Sequence, residues 1–181
     1  MGHGRLRRRR RFRKAWLRLP EGVRVQVRLA EPSDLNLVLD FLASLSQETL
    51  YRRFGRPLAR VPVFEARRVV GIAGGWELCL VALIDDERGQ RAIGLAQCSV
   101  DPLTAIGEVS LLICDEWQGR GLGLRLLNLL VRLAKEAGVT ELTGRVSLDN
   151  PRMVKLFRAL GFKVRLSMED REYHVKLKVA P

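Results

Sequence analysis

The residues Gln118-Gly119-Arg120-Gly121-Leu122-Gly123 constrain this chain more than any other stretch. They follow an apolar run at 106–114 and an Asp115-Glu116-Trp117 turn, and they lead into a leucine-rich run at 122–137. The pattern is a strand that passes through a glycine turn into a helix. The first N–H groups of a helix have no partner inside it and point outward. The peptide dipoles add partial positive charge at the same end. Glycines keep side chains away, so a phosphate can approach the backbone. Arg120 adds a mobile cation. The junction therefore predicts a pyrophosphate cradle; the alternative is a glycine turn that only joins strand to helix. Two nucleotide motifs fail. The phosphate loop of nucleotide hydrolases needs a Gly-Lys pair, and none occurs. The dinucleotide fingerprint Gly-x-Gly-x-x-Gly would need Gly at position 124, which is Leu.

Hydropathy patterns place the other elements. Residues 24–29 alternate as a half-buried strand. Pro32-Ser33-Asp34 starts a helix whose Leu35, Val38, Leu39, Leu42 and Leu45 recur at helical spacing. Ser46 caps a short second helix through Phe54, broken by Gly55 and Pro57. A further helical piece is expected at 62–70. Strands follow at 78–85, 91–100 and 106–114. The helix at 122–137 is closed by Gly138. A strand at 140–147 precedes a helix at 151–160, started by Asp149 or Asn150 and closed by Gly161. Residues 162–167 and 171–179 read as a final antiparallel pair. The order predicts an α/β (mixed α+β) sheet in a single domain, residues 21–181.

Charge divides the chain. The net charge is +12, and residues 1–20 carry nine Arg or Lys and no acid, leaving the body at +3. Such density favours an extended, solvated arm. It would make non-specific polyanion contacts or attach to nucleic acid through phosphates. Three cysteines without a Cys-x-x-Cys pair argue for a reducing compartment, hence a cytoplasmic location. Two histidines leave little for a metal site, and none is expected. Nothing in the sequence is long and apolar enough to be read as a membrane span.

The segment Gln118-x-x-Gly121-x-Gly123 matches the Gln/Arg-x-x-Gly-x-Gly/Ala motif of the GNAT acetyltransferases. Residues 150–162, Asn-Pro-Arg-Met-Val-Lys-Leu-Phe-Arg-Ala-Leu-Gly-Phe, resemble that family's Asn-containing helix ending in Leu-Gly-Phe. Residues 45–54, Leu-Ser-Gln-Glu-Thr-Leu-Tyr-Arg-Arg-Phe, are similar to a segment of the bacterial protein-lysine acetyltransferases (the Pat group), as is the strand start Gly107-Glu108-Val109. The resemblance implies a GNAT-like acyl-CoA N-acyltransferase fold, with acetyl-CoA as co-substrate and no metal. It implies that a CoA ester lies where two parallel strands splay apart. The backbone of Leu111, Leu112 and Ile113 would bond the pantetheine arm. Gln118 and the amides of Gly119, Arg120, Gly121, Leu122, Gly123 and Leu124 would hold the pyrophosphate, and Asn150 would contact pantetheine from the opposite junction.

Glu108 is the expected general base. Strand parity puts Glu108, Ser110, Leu112 and Cys114 on one face. A carboxylate heading an apolar strand is costly unless it is solvated or used, and partial desolvation would raise its proton affinity. A backbone N–H near Leu112 would steady the oxyanion. Many relatives place Tyr, as an acid, where this chain has Phe157; Ser110 and Tyr173 are the alternative hydroxyls. Cys114 reads as a buried small hydrophobe rather than an acyl carrier. The expected acceptor is a protein lysine, with a small-molecule amine or a non-catalytic nucleic-acid role as alternatives. The oligomeric state stays open.

Overall fold

The computed structural model describes residues 12–56, 63–71, 76–87 and 89–179. Residues 1–11 of the basic arm, Pro57 and Arg88 lie outside the described residues. Eight strands form one mixed sheet: β1 (Ala15–Arg18), β2 (Arg24–Leu29), β3 (Trp76–Asp86), β4 (Gly89–Asp101), β5 (Ile106–Ile113), β6 (Glu141–Ser147), β7 (Lys163–Ser167) and β8 (Glu172–Lys178). Their spatial order is β1-β2-β3-β4-β5-β6-β8-β7. Every neighbouring pair is antiparallel except β5–β6.

Helices cover both faces. The helices α1 (Leu35–Ala43), α2 (Gln47–Phe54) and α3 (Val63–Val69) lie on one face, against β3, β4 and β5. The helices α4 (Leu122–Glu136) and α5 (Pro151–Ala159) lie on the other. Cover on both sides explains why Glu77 to Ile84 of β3 are all buried, a continuous apolar run after the first residue. The buried stripe of α4 is Leu122, Leu126, Leu127, Leu129, Leu130 and Ala134, with Arg125, Asn128, Arg132 and Lys135 facing water. Helix α5 ends at the Leu-Gly-Phe sequence. Gly161 takes φ +82°, and the Phe162 N–H bonds the Phe157 carbonyl at 3.0 Å, closing the last turn.

Three expectations change. The arm does not extend to residue 20, because Ala15–Arg18 pairs with β2 as an edge strand. Its four residues alternate half-buried and exposed, and Arg24 lies over the Trp16 ring at 4.7 Å. A charge count over twenty residues hid that short alternation. Pro32–Asp34 forms a separate 3-10 turn rather than the first turn of α1. The Asp34 carboxylate accepts from Glu31 N–H at 2.8 Å and pairs with both Arg28 Nη atoms at 2.6 and 2.7 Å. That grip fixes the turn and aims α1 across the sheet. Strand β3 also begins two residues early and takes in Glu77, which is 5% exposed. Its carboxylate accepts from Arg68 (2.9 Å), Gln97 (2.9 Å) and Ser99 (2.7 Å), so the buried charge is paired and bonded.

Candidate active site

Strands β5 and β6 pair over only three residues, Ile106↔Glu141, Gly107↔Leu142 and Glu108↔Thr143. Beyond Glu108 they separate, although β5 continues to Ile113 and β6 to Ser147. The other edge of β5 stays paired with β4 throughout. A one-sided cleft results, with unpaired backbone of β5 along one wall.

Which backbone groups face it follows from alternation. The Cys114 N–H bonds the Ile93 carbonyl on β4 at 3.0 Å. Residues two apart share a direction, so Leu112 and Ser110 also spend their backbone groups on β4. The Val109 carbonyl points towards Gly144 of β6, and the Ile113 carbonyl accepts from Gln118. Val109, Leu111 and Ile113 therefore present their amides to the cleft. Leu111 and Ile113 thus face the cleft with their backbone. Leu112 does not; its side chain instead lines a cavity on the α1–α3 face.

The glycine turn closes one end of the cleft. Gly119 and Gly121 have φ of +76° and +81°, and a Cβ on Gly121 would meet no protein atom within 4 Å. The space beside it is open, which suits a phosphate; Leu122, Gly123 and Leu124 follow with N–H groups that the helix cannot satisfy. The residues present thus fit a pyrophosphate. Gly123 has a different reason to be glycine: a Cβ there would lie 2.9 Å from Leu111 Cδ2 and 3.3 Å from Leu156 Cδ1. Its bareness seats α4 against β5 and α5. Arg120 lies over the Trp117 ring at 5.0 Å, at the rim. Gln118 turns inward, and its Nε2 donates to the Ile113 carbonyl and to Thr49 Oγ1, both at 3.1 Å. The side chain braces the turn, and its expected contact with the pyrophosphate is not prepared here.

Asn150 stands across the cleft, at the end of β6. It, rather than Asp149, caps α5, accepting from Met153 N–H at 3.1 Å. Its amide nitrogen is left to donate.

Glu108 marks the last paired residue before the strands part. The expected desolvation is absent: its side chain is 56% exposed, and Arg145 Nε lies 3.6 Å away. The α1–α3 layer stops short of it. Beside it, under that layer, is a cavity lined by Arg53, Phe54, Glu65, Gln97, Ser110 and Leu112 among others. Arg53 makes no hydrogen bond or ion pair among the described residues. Burial pushes its guanidinium below the ordinary value, against the attraction of Glu65 and Glu108.

The hydroxyl alternatives separate. Ser110 shares the face of Glu108 and lines the cavity. Tyr173 pairs with Val146 and lies on the opposite face, away from Glu108. Phe157 is buried edge-on against Phe162, with ring centroids 4.8 Å apart. All three cysteines are free and buried, and burial lifts the Cys98 thiol to about 12. Cys114 is a core side chain, as expected. Among the described residues, Asp170, Glu172 and His174, a set with metal-ligand chemistry, gather at the β7–β8 hairpin. His174 Nε2 lies 3.0 and 3.4 Å from the Asp170 and Glu172 carboxylates.

Asp115, in sequence only a turn residue, meets Ser46 and Thr49 of the 45–54 segment. Its carboxylate accepts from Ser46 N–H (2.9 Å), Ser46 Oγ (2.6 Å) and Thr49 Oγ1 (2.7 Å). Burial works against its ionised form, but the Ser46 and Thr49 bonds prevail and hold the carboxyl below its usual range. Only the fold brings residues so far apart in sequence together.

The profile of the acetyltransferase (GNAT) family matches residues 40–162, and the chain belongs to that family. Among curated relatives, it is 32% identical over 153 residues to Acetyltransferase Pat of Mycolicibacterium smegmatis. That match covers 76% of this chain and 43% of the relative, so the chain spans less than half of that protein's length. It is 25% identical to Acetyltransferase PA5475 of Pseudomonas aeruginosa, over 84% of this chain and 82% of that one. Among solved structures, the GNAT domain of S. lividans PAT superposes with a TM-score of 0.81 at 26% identity, covering 91% of this chain and 96% of that one. Spermidine N-acetyltransferase from Vibrio cholerae, solved with CoA and spermine, shares the fold at 17% identity with a TM-score of 0.68, covering 86% and 95%. Among the described residues, no helix is long and apolar enough to cross a membrane.

Proposed function

We propose that this chain transfers an acetyl group from acetyl-CoA to the ε-amine of a protein lysine. The observation that carries the reading is the arrangement along β5: an open glycine turn at one end, Glu108 at the other, and unpaired backbone between them. Acetyl-CoA, when bound, supplies the activated acyl group. The turn at 119–124 holds the anionic end, and the amides of Leu111 and Ile113 align the rest along the strand. Glu108 takes a proton from the acceptor ammonium, directly or through a water. Its exposure in the free chain leaves the carboxylate open to an incoming ammonium. Amides of Val109 and Leu111, rather than Leu112, are the donors available to a developing oxyanion. Phe157 cannot protonate the leaving thiolate, and Ser110 is the nearby hydroxyl on the strand of Glu108.

A protein acceptor is favoured by the likeness of residues 45–54 to the Pat group and by the relatives named Pat. The test is purified chain with acetyl-CoA against lysine-bearing proteins and peptides, and in parallel against polyamines and other small amines. Preference for protein lysines supports the reading. Turnover confined to polyamines replaces the acceptor, and CoA binding without turnover on either panel removes the enzyme.

A further inference from the structure

The bonds around Asp115 form one chain that reaches from the glycine turn to the wall of the cavity beside Glu108. Gln118 Nε2 donates to the Ile113 carbonyl and to Thr49 Oγ1, each at 3.1 Å. Thr49 Oγ1 donates in turn to Asp115 at 2.7 Å. Asp115 also holds the Ser46 N–H and hydroxyl, at 2.9 and 2.6 Å, at the start of α2. Further along α2, Arg52 pairs with Glu48 at 2.5 Å and approaches Asp149 to 3.8 Å, beside Asn150 on the opposite wall. Helix α2 thus touches both sides of the cleft. Its last residues, Arg53 and Phe54, line the cavity next to Glu108.

We infer that Thr49 is a positioning residue that ties acceptor binding to the occupancy of the phosphate turn. Among the described residues, its hydroxyl is the only atom that bonds both Asp115 and the Gln118 side chain. It is nearly buried, so water does not readily replace it. Settling the turn on a pyrophosphate fixes Gln118, which fixes Thr49, which holds α2 and sets Arg53 and Phe54. Coupling of this kind is reciprocal, so acceptor and donor each tighten the other. The inference rests on the CoA-binding reading above.

Hydrogen exchange of the full chain, with CoA as the probe, decides it. In the wild type, CoA should slow exchange of the α2 amides, residues 47–54, by about fivefold or more, the lower end of typical coupling. Thr49→Val keeps the shape and leaves the Ser46–Asp115 bonds in place. It should still bind CoA, weakened by no more than the lost coupling, while α2 protection disappears. Thr49→Ser, which keeps the hydroxyl, should restore protection. With a lysine peptide as acceptor, Thr49→Val should raise KM about tenfold with a smaller change in kcat. Wild-type protein that binds CoA without protecting α2 overturns the inference, as does Thr49→Val with protection intact. Equal damage from Ser and Val overturns it too, since shape rather than the hydroxyl would then matter. A wild type that does not bind CoA at all fails earlier, and takes the functional reading with it.

Discussion

The two sides of β5 are built by different means. The side we propose for the cofactor is mostly backbone and hydrocarbon: a turn with two left-handed glycines, the leucine stripe of α4, and Gly123 packed on Leu111 and Leu156. The side we propose for the acceptor is held by polar side chains. Arg28–Asp34 aims α1, Asp115 with Ser46 and Thr49 anchors α2, and Arg68–Glu77 holds α3 against β3. A pyrophosphate presents the same atoms whatever the acyl acceptor, so a fixed backbone cradle serves it. An acceptor surface varies, and side chains can be exchanged without rebuilding the sheet. The acceptor side should accordingly be more sensitive to pH and to single polar substitutions.

The sharpest break between the sides should come from Glu108→Gln. Turnover should fall about a hundredfold to ten-thousandfold, the usual worth of a general base, with acetyl-CoA affinity nearly unchanged. The loss should shrink as pH rises, because more acceptor amine is then already neutral. Rates and binding measured together across pH check this, and a mutant with wild-type chemistry at neutral pH would reduce Glu108 to a strand-end acid.

Gly121→Val should do the reverse. A β-branched residue at φ +81° is strained, and its side chain would occupy the open space beside the turn. Acetyl-CoA binding should weaken by about a hundredfold or more, with the fold retained. Calorimetry on protein with a native circular dichroism spectrum is the measurement. Unchanged affinity would move the phosphate elsewhere.

Asp34→Asn probes the acceptor layer's stability. It leaves the Arg28 guanidinium without its charged partner, and should cost about 2 kcal/mol, below the figure for a fully buried pair because Arg28 keeps some solvent. Burial opposes ionisation of Asp34, but the Arg28 bond prevails and holds its carboxyl below the usual range. A depressed folded value means that the stabilisation is present above the unfolded value, about 3.9, and is lost as pH falls through the folded one. Denaturant unfolding below pH 4 should therefore show wild type and mutant converging. A constant gap down to pH 2 would mean that the charge is not what matters.

Arg53→Met should be the mildest change, raising acceptor KM about tenfold and leaving acetyl-CoA affinity alone. Steady-state kinetics on a lysine peptide test it. An effect on acetyl-CoA instead would place the cavity on the wrong side of the comparison.

How much was legible tracks the same division. The glycine turn and the leucine helix are local in sequence and could be read from spacing, which also narrowed the cap of α5 to Asp149 or Asn150. The error over Leu112 arose because the facing of a strand's amides depends on which neighbour stays paired. The exposure of Glu108 depends on where the α1–α3 layer ends. The edge strand at Ala15–Arg18 was masked by surrounding arginines, since charge density says nothing about a four-residue pairing.

From the sequence alone came the α-helices, the strands after β1 and their order, the turn that suits a pyrophosphate, and the strand that carries Glu108. These are local properties, set by periodicity, capping and the freedom of glycine. Only the tertiary structure decided that β5 and β6 part beyond Glu108, that Leu111 and Ile113 rather than Leu112 face the cleft, and that Asp115 meets Thr49 across sixty-six residues. Those facts depend on which strand edge is left unpaired and on contacts between distant segments, and no window along the chain contains both partners.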